Sequence, residues 1–95
     1  MQVTNVIVPD HIKVGESGWL ICEYEEINDK LYSLSWYLGV KEFYKWIPSN
    51  RNDQVTTHDI DNAFKVDPYN SNNGKVQIHE VTLMAAGKLR CEVSY

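Results

Sequence analysis

The feature that most constrains this chain is the placement of two cysteines around one tryptophan. Cys22 lies within one alternating run of residues. Trp36 follows fourteen residues later in the next run, and Cys91 stands near the end of the chain, after Gly87. Two distant cysteines in a small chain fit one disulfide made in an oxidising compartment, or two unrelated buried thiols. The tryptophan between them favours the disulfide. In a two-sheet sandwich the cysteines of two strands bridge the sheets, and an indole from a third strand packs on the sulfurs.

The rest of the sequence supplies short strands between turn signals, the pattern of an all-β sandwich or barrel. Residues 3–8 are β-branched and end at Pro9-Asp10. Residues 12–14 form a short second piece before Gly15. In residues 19–24, Leu20, Cys22 and Tyr24 share one face, and Ile21 and Glu23 the other. Asn28-Asp29-Lys30 reads as a turn. Residues 32–38 form the next strand, with Leu34, Trp36 and Leu38 on the inner face and Ser33, Ser35 and Tyr37 on the outer. Residues 42–47 are a further aromatic strand, ended by Pro48. Residues 56–63 are weakly patterned. Residues 64–66 are a short strand, and residues 70–74 read as a tight turn because Asn-Gly favours a hairpin. In residues 76–83 the apolar parity changes, which implies a bend near His79-Glu80. Residues 89–93 carry the second cysteine.

These features define an all-β, Greek-key sandwich of the immunoglobulin-like class, with residues 1–95 forming a single domain. The stretch between Phe43 and Phe64 has room for a C″ strand, which favours a V-type or intermediate arrangement. Two usual elements are missing. Leu89 stands where a corner tyrosine is expected, and Ala85 and Ala63 stand where a salt bridge normally closes the lower edge. The chain also stops four residues after Cys91, so a strand G is lacking. The natural protein is expected to continue, with Met1 a start residue on a mature fragment. Strand F would otherwise be an open sheet edge.

Composition excludes several function classes. A hydrophobic share of 43% with 23% charged residues is that of a folded globular domain. A net charge of -4, with Lys41 and Lys45 interrupted by Glu42, offers no basic patch for nucleic acid. No run approaches the roughly 18 apolar residues of a membrane span. No signal peptide opens the chain, so membrane association would come only through an anchor outside it or through a partner. His11, His58 and His79 are widely spaced and read as surface residues rather than metal ligands. Glu23, Glu25 and Glu26 read as a solvated strand face and turn. His58-Asp59-x-Asp61 could be imagined as a metal or acid–base site, and side chains that simply face solvent are the simpler reading. No phosphate loop or activated nucleophile is present, so the chain is read as no enzyme, needing no cofactor and no small-molecule substrate.

At Leu31-Tyr32-Ser33-Leu34-Ser35-Trp36-Tyr37 and Glu42-Phe43-Tyr44-Lys45-Trp46-Ile47-Pro48 the chain resembles the first immunoglobulin domain of the beaten path (Beat) proteins. Ser71-Asn72, Gly87 and Cys91-Glu92-Val93-Ser94 are similar as well, so the likeness spans roughly residues 14–94. Lys45, Trp46 and Leu89 depart from the family pattern. The resemblance implies an extracellular recognition protein, secreted or anchored at the cell surface. It also implies a Sidestep-like immunoglobulin-superfamily partner, a role in axon guidance and adhesion, and a second immunoglobulin domain following this one. Two other functions fit the same sandwich: an immune-type V domain that recognises antigen or pathogen, and a spacer module with no partner of its own.

The parity of the strands points to a partner-binding face. With Trp36 inward, Tyr37 faces out. Lysine is seldom buried unpaired, so Lys45 is placed outward, and Phe43 and Ile47 with it. This gives a candidate contact patch of Tyr37, Phe43, Lys45 and Ile47. A bulge in this strand would swap the parity and turn Phe43 into the core.

Overall fold

The computed structural model describes residues 3–9, 11–26, 31–58, 60, 62–85 and 87–95. Among the described residues eight strands are formed: β1 (Val3–Ile7), β2 (Gly18–Tyr24), β3 (Ser33–Leu38), β4 (Lys41–Trp46), β5 (Val55–Thr57), β6 (Lys65–Asn72), β7 (Lys75–His79) and β8 (Leu89–Ser94). They make two four-stranded antiparallel sheets, ordered β1-β2-β7-β6 and β5-β4-β3-β8. Cys22 of β2 and Cys91 of β8 are disulfide-bonded across the sheets, with Cα atoms 6.3 Å apart. The architecture is an immunoglobulin-like β-sandwich.

Alternation builds the core. Leu20 and Cys22 point inward from β2, Leu34 and Trp36 from β3, and Val76 and Ile78 from β7. Trp36 is fully enclosed, as its place between the cysteines predicts. Its indole N–H donates to the Gly74 carbonyl at 3.2 Å, so the one polar atom of the ring is satisfied. Burying each such large side chain contributes about 1.5–3 kcal/mol.

Strand β4 breaks the alternation. Trp36 pairs with Tyr44, but Tyr37 pairs with Glu42, so Phe43 is an extra residue with none opposite it. At such a bulge two successive side chains turn to the same side. Phe43 and Tyr44 are both fully buried, and the Phe43 ring meets Phe64 edge-on with centroids 5.0 Å apart. The expectation that Phe43 faces solvent is corrected here.

Other local readings change as well. Residues 70–72 belong to β6 rather than to a turn, and the turn itself is confined to Asn73 and Gly74. Residues 12–14 form no strand, whereas β5 rises from a stretch with little pattern. The bend expected near Glu80 is present, with Glu80 at φ 51°. At the lower corner Thr82 ties the two chain segments together. Thr82 Oγ1 donates to the carbonyls of Asn62 at 2.7 Å and Ala63 at 3.2 Å, and the Thr82 N–H donates to the Ala63 carbonyl at 2.9 Å. The proposed turn at residues 28–30 lies outside the described residues.

Candidate functional site

The solvent side of the β5-β4-β3-β8 sheet is assembled row by row from its register. Tyr37 of β3 lies between Glu42 of β4 and Arg90 of β8. Ser35 lies between Lys45 and Glu92, and Thr56 of β5 extends that row beyond Lys45. The small serines leave a shallow floor. Ser33 and Ser35 are nearly covered although they face outward, and Ser35 stands between the longer side chains of Lys45 and Glu92.

Tyr37 is the organising residue of this face. The Arg90 guanidinium sits over its ring, 4.4 Å from the centroid, a cation–π contact. Arg90 also pairs with Glu92 of its own strand. Burial first, then the neighbouring carboxylates of Glu42 and Glu92, push the Tyr37 phenol above its ordinary value, with Arg90 opposing. The hydroxyl therefore stays protonated at physiological pH and can donate or accept a hydrogen bond.

Of the four residues read as a contact patch, Tyr37 and Lys45 occupy adjacent rows of this face. Ile47 follows β4, half-buried, and its N–H donates to the Gln54 carbonyl at 2.8 Å. Phe43 does not join them. Glu42, Arg90 and Glu92 join instead, and sequence reasoning missed all three. The signal for Arg90 and Glu92 was their shared parity flanking Cys91. Glu42 reaches the face only because of the bulge.

His79 is more connected than its solitary position in the sequence suggests. Its Nδ1 is 2.8 Å from Ser17 Oγ, and its Nε2 is 3.1 Å from Asp67 Oδ2. The order of nitrogens is opposite to that of a hydrolytic triad, in which Nε2 meets the serine. The ring ties β6, β7 and the segment before β2 together. On the same sheet as His79, Lys75 Nζ lies 4.9 Å from the Trp19 ring centroid. Among the described residues no group of three or more His, Cys, Asp and Glu side chains is placed to hold a metal ion. Asp59 and Asp61 of the histidine–aspartate stretch lie outside the described residues. No helix among the described residues is long and apolar enough to cross a membrane.

No protein-family model matches this chain, and no curated protein matches it.

Proposed function

We propose that this chain is an extracellular recognition domain that binds another immunoglobulin-superfamily protein through the solvent face of the β5-β4-β3-β8 sheet. The observation that carries this reading is the Tyr37–Arg90 stack at the middle of that face. Tyrosine and arginine are over-represented among the residues that dominate binding energy at interfaces. Here each holds the other in place, so less side-chain freedom is lost on docking. Lys45, Glu42 and Glu92 around the stack supply mixed charge that orients a partner.

The finer fold assignment is V-type or intermediate. Strand β5 beside β4 takes the C″ position, and β1-β2-β7-β6 corresponds to the A-B-E-D order. The disulfide is in keeping with a secreted or surface-anchored protein. The resemblance of residues 31–37 and 42–48 to Beat proteins supports a Sidestep-like partner and a role in axon guidance and adhesion.

The test is a binding screen of the oxidised chain against extracellular immunoglobulin proteins, Sidestep-type receptors among them. Tyr37→Ala and Lys45→Glu are each expected to weaken the complex by about 1–3 kcal/mol with melting temperature preserved. Thr4→Ala, exposed on the opposite sheet, is expected to leave it unchanged. Wild-type affinity in both face variants would rule out this face.

A further inference from the structure

Asn73-Gly74 is the one Asn-Gly pair in the sequence, and the fold needs the glycine. A Cβ on residue 74 would stand 2.2 Å from the Cys22 carbonyl oxygen. The same small residue creates a chemical liability. The backbone nitrogen that follows an asparagine can attack that asparagine's own side-chain amide carbon. With glycine in the following position no side chain shields the nitrogen, so this pair is the most reactive one an asparagine can form.

Two phenols hold the reacting groups apart. The Tyr24 hydroxyl donates to Asn73 Oδ1 at 2.7 Å and fixes the side-chain amide, which is the electrophile. The Tyr44 hydroxyl donates to the Asn73 carbonyl at 2.8 Å. That bond fixes the peptide plane containing the Gly74 nitrogen, which is the nucleophile. The next peptide plane is fixed as well, because the Gly74 carbonyl accepts from the Trp36 indole at 3.2 Å and from the Cys22 N–H at 3.0 Å. Ring closure requires the amide carbon to rotate onto the nitrogen, and both phenol bonds oppose that rotation.

We propose that Asn73 is a site of spontaneous deamidation gated by Tyr24 and Tyr44, so that a chain is modified only when its β6–β7 turn opens. In the open turn the Gly74 nitrogen gives its proton to solvent base and bonds to Asn73 Cγ. The Cγ–Nδ2 bond breaks, and ammonia leaves with a proton from solvent. The cyclic imide then takes up water at either carbonyl and opens to aspartate or isoaspartate. Water is the only co-reactant, and nothing is oxidised or reduced.

The product does not fit the turn that formed it. Isoaspartate lengthens the backbone of this tight turn by a carbon atom, which displaces the Gly74 carbonyl from Trp36 and Cys22. Either product also places a negative charge at residue 73. The change is not reversed by refolding, so it records past local opening. It does not depend on the partner-binding reading above.

The experiment incubates the oxidised chain in mildly alkaline buffer and follows residue 73 by peptide mapping. Mass reads the exchange of NH for O, and retention separates isoaspartate from aspartate. Wild type, Y24F, Y44F and T82A are compared in the folded state, and wild type also in urea. Folded wild type is expected to react at least about tenfold more slowly than the unfolded chain, by the free energy of opening the turn. Loss of either hydroxyl is expected to speed the folded reaction about fivefold, the worth of a single hydrogen bond. T82A loses its bonds at the far end of β7 from the turn. It keeps both phenols and is expected to react as wild type does. A residue 73 that stays unmodified in urea removes the site itself. Folded and unfolded wild type reacting at one rate, tyrosine variants at the wild-type rate, or T82A as fast as the tyrosine variants, would each overturn the gate.

Discussion

The carbonyl oxygen of Gly74 receives the indole N–H of Trp36 at 3.2 Å and the backbone N–H of Cys22 at 3.0 Å. One peptide group of the β6–β7 turn thus joins the core tryptophan to the disulfide strand. The turn is held further by Tyr44, whose hydroxyl donates to the Asn73 carbonyl at 2.8 Å, and by Tyr24, whose hydroxyl donates to the Asn73 side chain at 2.7 Å. Asn73 supplies the positive φ, 55°. Gly74 is needed for space rather than for φ: a Cβ there would stand 2.2 Å from the Cys22 carbonyl oxygen.

Trp36→Ala is expected to destabilise the domain by about 3–5 kcal/mol, the cost of removing a large enclosed aromatic. Gly74→Ala is expected to be harmful too, because a methyl group cannot fit without moving the Cys22 backbone. Tyr37→Ala, on the solvent side of the same strand, is expected to cost much less than Trp36→Ala. Urea unfolding of the three variants is the check. Equal losses for Trp36→Ala and Tyr37→Ala would contradict the orientation of β3.

The disulfide is a second source of stability. It closes a loop with a sequence separation of 69, for which chain entropy predicts roughly 4 kcal/mol of stabilisation. Reduction is expected to lower the denaturant midpoint by a corresponding amount. Thiol labelling of the denatured, unreduced chain is expected to find no free cysteine. Two labelled thiols would overturn the bond.

Sequence pattern carried far in the strands and failed where alternation was interrupted. The Cys22–Trp36–Cys91 frame, the inward faces of β2 and β3 and the bend at Glu80 were readable because each rests on period-2 parity. Phe43 was misplaced because a bulge shows in the sequence only as a parity conflict, and Lys45 was used to settle the conflict for the whole strand. Arg90 and Glu92 were hidden because their importance depends on register against Tyr37 and Ser35, which no local pattern encodes. Thr82 and His79 act through partners many positions distant, Asn62 and Ala63 for one and Ser17 and Asp67 for the other.

Tyr44 makes an alkaline prediction. Burial pushes its phenol well above the ordinary 10.0. The folded domain keeps this proton where the unfolded chain gives it up, so the associated stability is present below pH 10.0 and is lost as pH rises beyond it. Tyr44→Phe is expected to cost about 1 kcal/mol at neutral pH, through the lost hydrogen bond to Asn73. The variant should also lose less stability than wild type in alkali. Unfolding curves on either side of pH 10.0 measure both effects. Identical alkaline slopes would show that Tyr44 ionises as freely in the fold as outside it.

Asp67 makes the acid prediction. Its carboxylate is held down to about 2 from the ordinary 3.8, first by the hydrogen bond from His79 and then by the side chain and N–H of Asn70 and the N–H of Tyr69. These bonds favour the ionised form, so the folded state holds the carboxylate charged where the unfolded chain has taken up a proton. The stability from this group is therefore fully present above pH 3.8 and is lost as pH falls through about 2. His79→Ala removes the largest of the causes. The Asp67 titration, followed by carboxyl-carbon NMR, is expected to move up toward 3.8, and the acid loss of stability is expected to shrink. Asn70→Ala, which removes only the weaker side-chain bond, is expected to move it less. An Asp67 midpoint that stays near 2 without His79 would assign the shift to the turn at residues 67–70 rather than to the histidine bridge.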